Sequence, residues 1–208
     1  MRLIVKGPEP AALTLWKSDF PGGTYDQLTD TRGIAVRKSI RTACISEQKY
    51  ICAYCCDRID NSNSHNEHIQ PQGAAPHATL DYENIVASCQ SNRHCGHKKD
   101  SNIIQLTPLM PSCETEVKYY LSGKMSHSTP RGQQFHTVLG LRESSLTSRR
   151  KQLIDTLIFS IGTNEDEIEL MDDELLEMLI EDLKKTDAAG RLEAFAPVLS
   201  CILTEYLS

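Results

Sequence analysis

Apolar side chains recur at helical spacing in several stretches of the chain, and the polar stretches between them are cut by Pro and Gly. Residues 34–48 set Ile34, Val36, Ile40, Ala43 and Cys44 apart from Arg37, Lys38 and Arg41. That periodicity predicts an amphipathic helix with a basic face. Beyond Gln134 the pattern turns helical again. Leu139, Leu141, Leu146 and the run SRRKQLIDTLIFSI predict one helix, residues 168–185 a second and residues 191–206 a third. In the second, Ile168, Leu170, Met171, Leu175, Leu176 and Leu179 make an apolar stripe against an acidic face. The N-terminal part predicts a short strand over residues 3–5 and a short helix over 11–16, ended by the PGG break at residues 21–23. Trp16, the lone Trp, is read as a core anchor in preference to a docking residue.

The middle of the chain lacks long apolar periodicity. Residues 57–66 (DRIDNSNSHN) read as a polar turn segment, residues 67–70 as a strand and PQGAAPHATL as a loop. Residues 82–87 lead into a cysteine-bearing cluster, and a helix is predicted from about His97. Residues 101–133 are irregular apart from one strand over 116–121, and no internal repeat is visible. The expected fold class is α+β, a small module embedded in a mainly α-helical chain. Its regions are residues 1–48, a segment with a basic helix that contacts a partner; 49–105, the module; and 106–208, mainly helical.

Composition changes this picture in two places. The net charge of −6 speaks against a polyanion ligand until its distribution is read, because residues 164–182 hold ten acidic side chains and no basic ones. Without them the balance is −6 + 10 = +4. Basic residues gather instead around the module: Arg32, Arg37, Lys38, Arg41, Lys49, Arg58, Arg93, Lys98 and Lys99. The acidic face is read first as a solvated surface and second as one that docks a basic partner. No run approaches the roughly 20 apolar residues of a membrane span. The opening MRLIVKGPEP has no export-signal pattern, so a cytoplasmic location is expected. In that setting the eight cysteines point to metal rather than to disulfides.

Chemistry concentrates between residues 52 and 99. Cys52 and Cys55 have the two-residue gap of a zinc knuckle, and Cys89 and Cys95 can complete a four-thiolate site. Five residues separate the second pair, which leaves His94 as an alternative fourth ligand. Cys44 and Cys201 are read as small buried hydrophobes and Cys56 as a bystander. Between the cysteine pairs lie Glu67, His68 and Asn84. Glu67 offers the hard oxygen that Mg²⁺ prefers, and His68 suits a general base because an imidazole is largely neutral at cellular pH. As strand neighbours they point to opposite faces, so one site can use both only if the hairpin is short and twisted. His65, His77, His127 and His136 are read as structural.

The order CAYC, NEH followed by Pro71, DYENIVASC and HCGHKK resembles the HNH nucleases, in which a zinc-stapled ββα-metal hairpin and helix clasp a catalytic cation. With the opening MRLIVKGPEPAALTLWK and the SEQKYICAYC approach, the chain looks like the HNH proteins of Septu and retron anti-phage systems over residues 1 to about 150. The resemblance implies that Asn84 orients the His68 ring and that His97, with Glu67, ligates a catalytic Mg²⁺ or Mn²⁺. It places Lys98, Lys99 and Arg93 near nucleic-acid phosphates. Zn²⁺ would be structural, and the five-residue gap departs from the commoner two-residue spacing. As partners it implies an ABC/SMC-like ATPase and, in retrons, a reverse transcriptase with its RNA–DNA product. The expected activity is endonucleolytic, on DNA or host tRNA, by a toxin effector. The other readings are a zinc-stabilised adaptor without catalysis and a stand-alone restriction-type DNA nuclease.

Overall fold

The computed structural model describes residues 1–164 and 167–207. Glu165 and Asp166, two members of the acidic block, lie outside the described residues. The N-terminal half is built on two helices, α1 (Ala11–Asp19) and α2 (Thr31–Glu47). Asp30 caps α2 by accepting the Gly33 N–H at 2.6 Å, and Val36, Ile40 and Cys44 at four-residue spacing are its buried stripe. Ile34 falls off that stripe and is exposed. Trp16 is buried on α1.

The module follows. Strands β1 (Ser64–His68) and β2 (Ile85–Cys89) pair antiparallel in the register Ser64↔Cys89 to His68↔Ile85, and the five-residue helix α3 (Cys95–Lys99) packs on β2. β1 begins three residues before the predicted strand, taking in Ser64, His65 and Asn66 from the supposed turn. α2 lies against both strands.

A second hairpin, β3 (Val117–Tyr119) with β4 (Met125–His127), occupies the predicted irregular region. The predicted strand at residues 3–5 is not one. Ile4 donates a single bond to the Pro108 carbonyl at 2.7 Å, and Pro108 has no N–H to return it, so no ladder grows.

The C-terminal region holds α4 (Pro130–Val138), α5 (Ser144–Ser160), α6 (Asp173–Lys184) and α7 (Ala196–Thr204). Leu139 and Leu141 are buried, as periodicity implied, but they lie in a break between α4 and α5 rather than inside one helix. Gly140, with φ +61°, turns the chain there. α6 is shorter than predicted because Asp172 caps it, accepting the Glu174 N–H at 2.8 Å, and Leu170 ahead of it is exposed. α7 is also shorter, starting only at Ala196 after Phe195 in a left-handed conformation. α4, α5 and α7 share one apolar core with the module, whereas Leu176 and Ile180 of α6 form a second cluster with Leu203 of α7. The segment before α7 is tied to the knuckle: Leu192 N–H donates to the Lys49 carbonyl at 3.0 Å and Phe195 N–H to the Cys56 carbonyl at 2.8 Å. Among the described residues, no helix is long and apolar enough to cross a membrane.

The break at Gly140 is coupled to the module, since a Cβ there would lie 2.8 Å from the Arg93 carbonyl and 3.1 Å from Lys98 Cγ. A left-handed non-glycine residue costs about 1–2 kcal/mol before any clash. Gly140→Ala should therefore lower Tm by about 4 °C or more, at about 2–4 °C per kcal/mol for a chain of this size. A thermal melt superimposing on the wild type would contradict this account.

Candidate metal centre and catalytic cleft

The turn around Cys52 and Cys55 is shaped by its own backbone. Cys52 N–H donates to the Asp57 carbonyl at 2.8 Å and Cys56 N–H to the Cys52 carbonyl at 3.1 Å. Cys56 takes φ +65° to reverse the chain, so it serves the turn while its thiol stays out of the cluster. Cys89 ends β2 and Cys95 begins α3, itself at φ +64°. Four thiols thus converge from three elements, with all sulfurs within 4.8 Å of one another. Cys52 and Cys95 are 3.8 Å apart and Cys55 and Cys89 3.9 Å. A tetrahedral site with Zn–S near 2.3 Å places its sulfurs about 3.8 Å apart, so the donor set fits zinc.

His94 does not replace Cys95. Its Nδ1 lies 3.1 Å from Cys95 Sγ and 3.8 Å from Cys89 Sγ, at the edge of the cluster. Hydrogen bonds from Cys52, Cys55 and Cys95 hold the Cys89 thiol far below the usual range, while burial pushes Cys95 up. A metal binds the thiolates, so its binding would release the thiol protons.

On the other side of α3 lies a cleft of about 370 Å³ lined by β1, the loop after it and α3. Glu67 and His68 both line it, although they are neighbours on β1. The strand ends at His68, and the chain turns away at Pro71, which lets the ring swing to the side Glu67 faces. His68 Nε2–H donates to the Thr79 carbonyl at 2.9 Å, leaving Nδ1 as the unprotonated nitrogen of a neutral ring. Burial pushes the His68 pKa down, only partly opposed by that bond.

Asn84 does not touch the His68 ring as the resemblance implied. Its Oδ1 accepts the Gln70 N–H at 2.8 Å, and its Nδ2 donates to the Gln70 and Ala78 carbonyls at 3.1 and 3.2 Å. It closes the loop whose Thr79 carbonyl holds the ring, so it positions His68 through the backbone. Sequence reasoning missed Tyr25, whose ring meets His68 edge-on at 4.8 Å and whose hydroxyl accepts from Asn66 Nδ2 at 2.9 Å. Nothing in its sequence context marks it, because the contact spans 43 positions of chain.

Lys99 is not presented to a phosphate. It is 1% exposed and its ammonium lies 2.8 Å from Glu67 Oε1 and 2.8 Å from the His68 carbonyl, clamping the two cleft residues from behind. Burial by itself would raise the Glu67 pKa, but bonds from His65 and Lys99 outweigh it and keep the carboxylate ionised. Lys98 and Arg93 are on the surface, Arg93 within 3.6 Å of Glu143. His97 lines the cleft from its exposed rim, its Nε2–H donating to Gln90 Oε1 at 2.7 Å. It is not joined to Glu67, and the ring beside Glu67 is that of His65, with Nε2 3.4 Å from Glu67 Oε2. The structural reading of His65 thus has to be revised to a cleft residue. Its signal was available, since His65 and Glu67 alternate onto one face of β1.

The site is therefore a hairpin and short helix braced on one side by four thiols, with an acid and a neutral histidine on the other. No family model matches the chain. It is 31% identical over 141 residues, 60% of its length, to "Retron Vc95 putative HNH endonuclease" of Vibrio cholerae serotype O1 biovar El Tor, covering 67% of that protein. It is 26% identical over 127 residues, 58% of its length, to "Retron Ec83 putative HNH endonuclease" of Escherichia coli, covering 47% of that protein. The chain spans about two thirds of the one relative and about half of the other. It belongs to the retron HNH endonucleases.

Two measurements follow from this geometry. Cys52→Ser should lose zinc by elemental analysis and lower Tm by about 10 °C or more, since a thiolate worth several kcal/mol is removed at about 2–4 °C per kcal/mol. A zinc-free variant melting like the wild type would sink the structural role. Lys99→Ala leaves Glu67 buried without its ammonium and should cost about 3–5 kcal/mol in urea unfolding. A change below about 1 kcal/mol would mean the pair is solvated after all.

Proposed function

We propose that this chain is the nuclease effector of a Septu- or retron-type anti-phage assembly, hydrolysing phosphodiester bonds in the cleft between β1 and α3. The observation that carries this reading is the bond between His68 Nε2 and the Thr79 carbonyl, whose oxygen can only accept. With Nε2–H spent on the Thr79 carbonyl, the ring offers Nδ1 as a base beside an ionised Glu67. His68 Nδ1 takes a proton from water as the water oxygen bonds to phosphorus. The bond from phosphorus to the ester oxygen breaks, and that oxygen is protonated from solvent. Thr79 and Tyr25 keep the ring in place through the step, and Lys99 keeps Glu67 ionised.

Glu67 fits a hard cation through its second oxygen, while His97, the co-ligand that the resemblance implies, is engaged with Gln90. A bound Mg²⁺ or Mn²⁺ supplies Lewis-acid stabilisation of the phosphoryl and departing oxygens. Lys98 and Arg93, exposed beside α3, suit contacts to flanking phosphates. External water needs no 2′-hydroxyl, so DNA and tRNA are both chemically open as substrates.

The partners of this reading are an ABC/SMC-like ATPase and, in a retron, the reverse transcriptase with its product. α6 offers a face for such contact, with Leu175 and Met178 exposed among Glu174, Glu177 and Glu181. An adaptor would need the zinc frame but not a neutral, oriented histidine next to an ionised carboxylate.

His68→Ala should lower cleavage by about 10²–10⁴-fold, the usual worth of a general base, with zinc content and Tm unchanged. The assay triggers the system in cells carrying the native neighbouring genes and compares RNA and DNA ends with the wild type. Fragments that persist undiminished in the variant would remove His68 as base.

A further inference from the structure

We propose that His65, with Glu67, is the protein ligand pair for the catalytic cation, and that the pair selects Mn²⁺ or a similar first-row transition ion over Mg²⁺. The inference deepens the nuclease reading and rests on it only for calling the cation catalytic. His65 and Glu67 stand two residues apart on one face of β1, and both line the cleft. Lys99 occupies Glu67 Oε1, so Oε2 is the oxygen left for the cleft, and His65 Nε2 lies 3.4 Å from it. Two donors each about 2.1 Å from one ion, at an angle near 90–110°, are about 3.0–3.4 Å apart. The separation is that of a chelating pair.

Two further observations point the same way. α3 begins its approach with Gly96, where a Cβ would sit 2.6 Å from both Glu67 Oε2 and His65 Nε2. Glycine therefore keeps open the space directly over the two donor atoms. His97 stacks on His65 with ring centroids 4.2 Å apart while its own Nε2 is engaged with Gln90. It supports the His65 ring rather than reaching Glu67. An imidazole donor favours first-row transition ions, whereas Mg²⁺ prefers all-oxygen surroundings.

The test titrates zinc-loaded protein with Mn²⁺ near neutral pH, following binding by electron paramagnetic resonance and directly bound imidazole by its nitrogen modulation. Wild type should bind Mn²⁺ with a histidine nitrogen signal. His65→Ala and Glu67→Gln should each weaken binding by at least about 10-fold. His65→Ala should also lose the nitrogen signal and narrow the preference for Mn²⁺ over Mg²⁺. His97→Ala removes a stacking partner and no ligand, so it should keep the histidine nitrogen signal, and His68→Ala should bind Mn²⁺ as wild type does. His65→Asn, close in size, serves if the alanine variant fails to fold, with zinc content and Tm as folding controls. Unchanged Mn²⁺ affinity in the folded His65 variants, or loss of the nitrogen signal in His97→Ala instead, overturns the proposal and leaves the nuclease reading standing. The His65-dependent signal in a protein that cleaves neither RNA nor DNA would instead overturn the nuclease reading and leave the ligand assignment standing.

Discussion

The four-thiol cluster is the constraint on which the site depends. A two-stranded hairpin with a five-residue helix buries too little surface to hold its own shape in water. Joining Cys52 and Cys55 to the end of β2 and the start of α3 fixes where both elements lie relative to the knuckle. Because β2 carries β1 in register, and α3 is seated by Cys95, Gly96 is delivered onto the Glu67 face of β1. The left-handed backbone at Cys95 is strain that this joining sustains, as strained residues at functional sites generally require.

The rest of the chain braces the knuckle from behind. Lys49 and Tyr50 are both left-handed and bring the end of α2 round into the cysteine turn. The carbonyls that this turn exposes are taken up by Leu192 and Phe195, just ahead of α7. Arg150 on α5 is buried and donates to the Leu141 carbonyl at 2.9 Å, which holds the α4–α5 break, and Leu139 of that break accepts the Cys95 N–H at 2.8 Å. The helical C-terminal region is thereby part of the support of the four-cysteine cluster.

What was legible in the sequence followed from local chemistry. Cysteine spacing located the thiol cluster because ligand type and turn geometry are short-range properties, and helical periodicity located α1, α2 and α6 for the same reason. Boundaries failed where a single residue overrode the pattern: Gly140 split one expected helix into two, and Asp172 shortened another. The β3–β4 hairpin escaped notice because three-residue strands carry too little alternation to register. In the cleft, Glu67 and His68 were legible from their adjacency. Tyr25, the burial of Lys99 and the engagement of His97 with Gln90 were not, since each depends on how separate elements pack together.

The manner in which His68 is held explains why the loop between the strands is so uninformative as sequence. Its contacts to the cleft run through backbone groups: the Thr79 carbonyl on the ring, and the Gln70 and Ala78 carbonyls on the Asn84 amide. A carbonyl is available whatever side chain its residue bears, so residues 71–79 are constrained in conformation more than in identity. Asn84 is different, because only a planar amide with a donor and an acceptor can take the Gln70 N–H and give to two carbonyls at once. The loop that presents the Thr79 carbonyl to the His68 ring is therefore held by one side chain acting at a distance. An ion pair at Lys99 sets the charge of its neighbour Glu67 from the opposite side of the strand's end.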